Sequence, residues 1–265
     1  MKFFRLGIVG ALFIIAAGCA SNRSLRSAGL RTPEVDREML TSRARNLWQS
    51  RVQEDWNSVF EFFEPKRRDE YKVVEFREWS EKNEQFMIHS FDVNATHIDG
   101  DMGWVHVDYN TSIRRFPNLA ARDVMLWEKW RRTEGEWYPV PKEELNLYPE
   151  SPSQRNADAE QELRARFEQS WSARHGADWA RLYELTDPRD HSDVDAAMYA
   201  EGEGAFQYLA CKVMWVEVIE DMGRVLVTYN HRVTDKSMEK LPPRDAAIIE
   251  RWTKVGQEWY RDLKW

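Results

Sequence analysis

In the run HVDYN, His106 and Asp108 stand two residues apart and Tyr109 follows directly. These types hold the ingredients of proton transfer: Asp108 as a carboxylate base, with His106 or Tyr109 as donor to a developing oxyanion. His106 and Asp108 could also approach one ion from a single strand face, with His97 joining from an adjoining strand. Neither chemistry is well prepared. The polar pair alternates with Val105, Val107 and Tyr109, so in a strand it lies on the side opposite the apolar set, toward solvent. Nothing repeats the tight ligand spacing of zinc sites, and Cys211 stands alone, as a small buried hydrophobe would. The chain carries no phosphate-cradling glycine loop and no nucleophile elbow. The expectation is therefore no catalytic residue, no metal and no cofactor.

The architecture that must position these residues is written twice. WQSRVQEDWNSVFEFFEP, Trp48 to Pro65, aligns with WSARHGADWARLYELTDP, Trp171 to Pro188. DMGWVHVDYN from Asp101 aligns with DMGRVLVTYN from Asp221, and RDVMLWEKWRRTEGEWY from Arg122 with RDAAIIERWTKVGQEWY from Arg244. Three blocks in the same order mark an internal duplication. Between the copies PKEELNLYPESPSQRN, residues 141–156, has the prolines and polar residues of a linker.

Each copy begins with helices. Thr32 and Pro33 supply an N-cap and a first-turn proline. Leu40, Ala44, Leu47 and Trp48 then recur at helical spacing, as do Leu163, Phe167 and Trp171. Gly176 interrupts the second of these helices. Asp55 and Asp178 read as N-caps of a second short helix, which Pro65 and Pro188 end. A third helix is expected over residues 68–82 and 190–201. The period then falls to two: Val105, Val107 and Tyr109 are repeated by Val225, Val227 and Tyr229. Turn signals at Asp99-Gly100, the repeated Asp-Met-Gly, Gly135 and Gly256 divide each copy into about four antiparallel strands, an α+β arrangement.

Duplication also sorts residues by role. One retained in both copies serves the shared fold, whereas one present in a single copy is free for a separate task. Of the 13 tryptophans, Trp48, Trp56, Trp130 and Trp137 match Trp171, Trp179, Trp252 and Trp259, and are expected in the cores. Glu128 with Glu250, and the Arg122-Asp123 and Arg244-Asp245 pairs, read as hydrogen-bonded corners. His89, Asp92, His97, His106 and Asp108 belong to one copy only, facing Leu209, Lys212, Glu217, Leu226 and Thr228 in the other. Trp104, Trp127 and Trp215 are likewise unpaired. Together with His106 and Asp108 they form the candidate pocket or partner-binding set, with ordinary sheet packing as the plainer account.

Lys+Arg 38 against Asp+Glu 45 gives a net charge of -7, which argues against a nucleic-acid partner. Lys2 and Arg5 precede an apolar stretch, Leu6 to Ala17, too short to span a bilayer and shaped like a signal peptide. Ala16-Ala17-Gly18-Cys19 resembles the bacterial lipobox. That resemblance implies cleavage before Cys19 and acylation of its sulfur and amine, and more than one chain is what stable anchoring takes. Ser21 stands where lipoproteins kept in the inner membrane commonly carry aspartate, so the outer membrane, periplasm-facing, is favoured. The expected boundaries are a signal peptide at 1–18 and a lipidated tether at 19–33. A first domain at 34–140, the linker at 141–156 and a second domain at 157–265 follow. Fully extended, the tether reaches about 45 Å.

Helices first, Asp-Trp and Pro in the helical block, then strands closing on Glu-x-Trp and a Gly-x-x-Trp-Tyr hairpin resemble the nuclear transport factor 2-like superfamily. The resemblance implies two tandem cones, each a curved antiparallel sheet wrapped on its first helix, with an apolar cavity at the mouth. The superfamily includes isomerases, dehydratases and many noncatalytic members, so membership assigns no activity. A cone enzyme resembling ketosteroid isomerase would place a carboxylate base such as Asp108 in an apolar mouth. The preferred expectation is instead a noncatalytic binding or assembly module, held to the membrane by its lipid and offering sheet faces or cone mouths to an envelope protein or small apolar ligand. The alternative is an isomerase- or dehydratase-like enzyme working in one cone.

Overall fold

The computed structural model describes residues 32–235, 237 and 240–263. Cys19, the lipobox and most of the tether lie outside them. Among the described residues no helix is long and apolar enough to cross a membrane. The first half runs α1 (Pro33–Val52), α2 (Trp56–Phe60), α3 (Pro65–Glu70), α4 (Val73–Asn83), β1 (Phe86–Asp99), β2 (Met102–Ile113), β3 (Arg122–Thr133) and β4 (Glu136–Pro139). The second runs α5 (Ala157–His175), α6 (Trp179–Glu184), α7 (Ala196–Gly204), β5 (Phe206–Ile219), β6 (Met222–Val233), β7 (Arg244–Val255) and β8 (Glu258–Arg261). Each half is α+β, with a four-stranded antiparallel meander in the order β1-β2-β3-β4 or β5-β6-β7-β8.

The helix starts follow local chemistry. Thr32 Oγ1 accepts from the Val35 amide at 3.4 Å, Asp55 from Ser58 at 3.1 Å and Asp178 from Arg181 at 3.0 Å. Each satisfies an amide that the first helical turn leaves open. The third helix differs from its sequence expectation. Pro65 opens a helix of its own, α3, and the backbone extends through Tyr71 and Lys72 before α4 begins. In the second half Pro188 opens a 3-10 turn, and Asp195 caps α7 by accepting from Met198 at 2.8 Å. A proline lacks the amide that an initial turn cannot use, so it begins these elements as readily as it ends the preceding ones.

Both sheets bend at matching places. β1 shifts register between Ile88 and Ser90 and again between Val93 and Ala95; β5 does so between Tyr208 and Ala210 and between Val213 and Trp215. Such bulges bend a strand and sharpen its twist, which lets a sheet curl around a helix. α1 lays Leu40, Ala44, Leu47 and Trp48 on Val105, Val107, Trp130 and Trp137. α5 lays Leu163 and Phe167 on Val225, Val227, Trp252 and Trp259. Each buried indole removes on the order of 200 Å² from water, worth about 5 kcal/mol of transfer free energy. Close approach of helix to sheet depends on Gly103 and Gly223. A Cβ there would meet Leu40 Cδ2 at 2.5 Å and Leu163 Cδ2 at 2.4 Å.

The proline-rich connection is a strap pinned on both sides. It forms 3-10 turns at Lys142–Leu147 and Pro152–Gln154. From the outward face of the first sheet, Trp104 Nε1 donates to Pro149 O at 2.9 Å, and Lys129 Nζ donates to Tyr148 O at 3.0 Å and Glu150 Oε1 at 2.7 Å. From the second sheet, Trp215 Nε1 donates to Leu147 O at 2.9 Å, while the Glu150 amide donates to the Glu217 carboxylate.

Candidate functional site: the mouth of the first half

At the C-terminal end of α1, Arg51 follows Trp48 by three residues and so shares its inner face. Trp48 Nε1 donates to Glu128 Oε2 at 2.9 Å, and Arg51 Nη1 to Glu128 Oε1 at 3.0 Å. Glu128 arrives from β3, whose alternation points it inward with Trp130. The guanidinium lies over the Trp48 ring at 4.9 Å, and the Tyr109 ring lies 4.8 Å from that indole. Above this floor opens a cavity of about 370 Å³, walled by Trp56, Phe63, Phe76, Trp79, Phe86 and Ile88. A groove of about 450 Å³ shares Phe63, Phe76 and Trp79 and continues to Tyr71. Trp79 is 63% exposed, unusual for so large an apolar ring, and it stands at this rim.

The second half carries the same floor but fills the space above it. Arg174 Nη1 donates to Glu250 Oε1 at 3.0 Å and to the Tyr229 hydroxyl at 2.5 Å, and that hydroxyl donates to Glu250 at 2.8 Å. Over them sits Glu203, which accepts from Arg174 Nε at 3.4 Å, the Tyr208 hydroxyl at 2.9 Å and Arg261 Nη1 at 2.9 Å. Arg261 also donates to the Tyr199 hydroxyl at 3.0 Å and approaches Glu250 at 3.6 Å. Burial opposes charge on Glu203, yet Arg174 and Arg261 hold its carboxyl down at about 2. Burial pushes Tyr199 up to about 12 and raises Tyr208 and Tyr229 as well. The result is two guanidiniums, two carboxylates and three neutral phenols locked together. Aligned on the repeated strands and helices, Glu203, Tyr208, Tyr199 and Arg261 correspond to Asn83, Ile88, Trp79 and Pro139 in the first half.

The residues singled out in the sequence gather elsewhere, on the outward sheet faces. Trp127 lies beside His97 and His106, with ring centroids 5.2 and 4.8 Å away. His106 Nε2 is 3.6 Å from Asp108 Oδ1, and Asn94 Nδ2 donates to Asp108 Oδ2 at 2.6 Å. The Asp108 side chain stays 43% exposed, on the face opposite the mouth. Trp104 and Trp215 are buried and spend their N–H groups on strap carbonyls. None of the five lines the first-half cavity. Being unpaired therefore marks Trp104 and Trp215 as the joint between the halves, since a joint has no reason to be duplicated. Arg51 and Arg174 carried a legible signal, an arginine three residues after the first tryptophan in both repeated blocks. Glu128 and Glu250 are the corners expected, and the arginines are what they hold.

No protein-family model and no curated protein matches the chain. Among solved structures it is similar to a SEC-C motif-containing protein from Rhodopseudomonas palustris, with 19% identity, a TM-score of 0.29, and coverage of 38% of this chain and 73% of that one. It is also similar to an Ntf2-like protein involved in plasmid conjugation, with 11% identity, a TM-score of 0.28, and coverage of 81% of this chain and 94% of that one. At these scores neither neighbour bears on the chemistry of the mouth.

Proposed function

We propose that the chain is a noncatalytic binding module of two nuclear transport factor 2-like units, in which the first half's mouth receives a small ligand and the second half is a filled support. The lipid expected on Cys19 tethers it to the outer membrane, facing the periplasm. The observation that carries the reading is the contrast at equivalent places: an open aromatic cavity in one half, a charged plug in the other. Aromatic walls with a few convergent polar groups are the usual make-up of a ligand pocket, and the cavity volume falls in the usual range. Both oxygens of Glu128 already accept N–H donors, and Asp108 is on the other face, so neither stands as a base in an apolar cavity. That favours binding over the isomerase or dehydratase alternative.

The neutral dye N-phenyl-1-naphthylamine tests the pocket. One dye per chain is expected, lost in Ile88→Tyr, which adds the ring found at that place in the second half. Undiminished binding in that variant would remove the mouth as the site. For the anchor, Cys19→Ser is expected to move the protein from the membrane pellet to the soluble periplasmic extract; retention in the pellet would overturn the tether.

A further inference from the structure

The duplication supplies a template for what the empty mouth is shaped to hold. Over the shared arginine and glutamate, the second half places three groups that the first half lacks: the Glu203 carboxylate, the Arg261 guanidinium and the Tyr208 ring. The carboxylate engages the floor arginine, Arg174. The cation lies between the floor carboxylate Glu250 and the hydroxyl of Tyr199, whose counterpart in the first half is Trp79. With Ile88 in place of the Tyr208 ring at the cavity wall, and Asn83 and Pro139 in place of Glu203 and Arg261, the first half loses one negative and one positive charge together. Resting on the binding-module reading above, we infer that the mouth takes a small zwitterion with an aromatic or aliphatic body, its carboxylate on Arg51 and its cation between Glu128 and Trp79.

Charge and donor accounting distinguish this class from its neighbours. A ligand with only a carboxylate adds a second negative charge beside Glu128, and Glu84 at the cavity wall makes a third against the single Arg51. A ligand with only a cation leaves Arg51 short of an acceptor: among the described residues it reaches one carboxylate, Glu128, whereas Arg174 reaches both Glu250 and Glu203. A zwitterion gives Arg51 a second carboxylate and gives Glu128 and Glu84 a cation, which it sets against the face of an indole, the strongest aromatic partner for a cation. The cavity of about 370 Å³ and its continuing groove suit an amino acid or dipeptide with an apolar side chain.

The test uses the full chain and displacement of N-phenyl-1-naphthylamine by three probes: phenylalanyl-phenylalanine, its N-acetyl form and its C-terminal amide. The free dipeptide is expected to bind about tenfold more tightly than either capped form, since each cap removes one charge-assisted contact. Arg51→Met should bring the free dipeptide level with the amide. A transplant of the plug, Asn83→Glu with Ile88→Tyr and Pro139→Arg, should abolish direct binding of the free dipeptide in titration calorimetry while the thermal transition stays cooperative. If a capped form binds as well as the free dipeptide, the zwitterion inference fails and the binding module stands. If neither dye nor dipeptide occupies the mouth, both fail.

Discussion

The two halves share a floor and differ in what rests on it. In the first, Arg51, held by Glu128 beneath it, lines the base of an open aromatic cavity, with its side chain 31% exposed. In the second, Arg174 and Glu250 are 1% exposed and bear a second ion pair above them. The same pair is thus half-buried beside an open cavity in one place and the keystone of a fully buried network in the other. A buried ion pair stabilises only relative to its broken halves, because removing one member leaves a desolvated charge behind. The difference teaches that the pair shared by the two halves belongs to the fold, while the residues added or withheld around it decide between a filled core and an open cavity.

The largest expected effect breaks this comparison most directly. Arg174→Met strands Glu250 and Glu203 with Arg261 alone and is expected to cost about 3 to 5 kcal/mol of unfolding free energy. Arg51→Met removes an equivalent residue whose partner water can reach, and about 1 kcal/mol is expected. Urea denaturation of the two variants side by side measures both. Equal losses would mean that the second half's plug contributes nothing beyond the floor it shares.

Acid gives the next effect. The Glu203 carboxyl is held at about 2 in the fold against an ordinary value of 4.5, so the unfolded chain binds its proton first as pH falls. Its contribution is complete above about pH 4.5 and is lost as the pH drops toward 2, to a total on the order of 3 kcal/mol. The urea midpoint should fall through that window in the parent protein, and the fall should shrink in Glu203→Gln. An unchanged acid slope in the variant would show that Glu203 is not held ionised by Arg174 and Arg261.

The repeated elements were readable because periodicity and caps are local. Leu40, Ala44 and Leu47 give the inner stripe of α1, Asp55 and Asp178 give the second helix starts, and Gly100, Gly135 and Gly256 adopt the positive φ values that their turns require. The bulges in β1 and β5 carried no such mark, since a register shift is fixed by pairing with β2 and β6 and not by its own residues. The mouth was half visible. Its retained members, Trp48, Arg51 and Glu128, recur in both copies. Its openness came from absence: Ile88 is an ordinary residue whose meaning emerges only when the Tyr208 ring is seen at the matching place, bonded to Glu203. Sorting by duplication pointed to Trp104 and Trp215 for the opposite reason, because the strap exists once.

That strap sets the smallest of the expected effects and the one that ties the halves together. Trp104 and Trp215 hold carbonyls two residues apart, Pro149 O and Leu147 O, from opposite sides of the connection. Replacing either by Phe keeps a large ring and deletes the N–H, so each variant should lose about 1 kcal/mol. Because both bonds act on the same short segment, freeing one side relaxes the geometry of the other. The double variant should then depart from additivity by roughly 0.5 kcal/mol or more, beyond what distant, independent sites show. The strap should also become a preferred site of proteolysis in the double variant, with cleavage between residues 141 and 156. Strict additivity, with no new cleavage, would mean that each sheet grips the connection on its own and that the open half and the filled half stand as independent bodies.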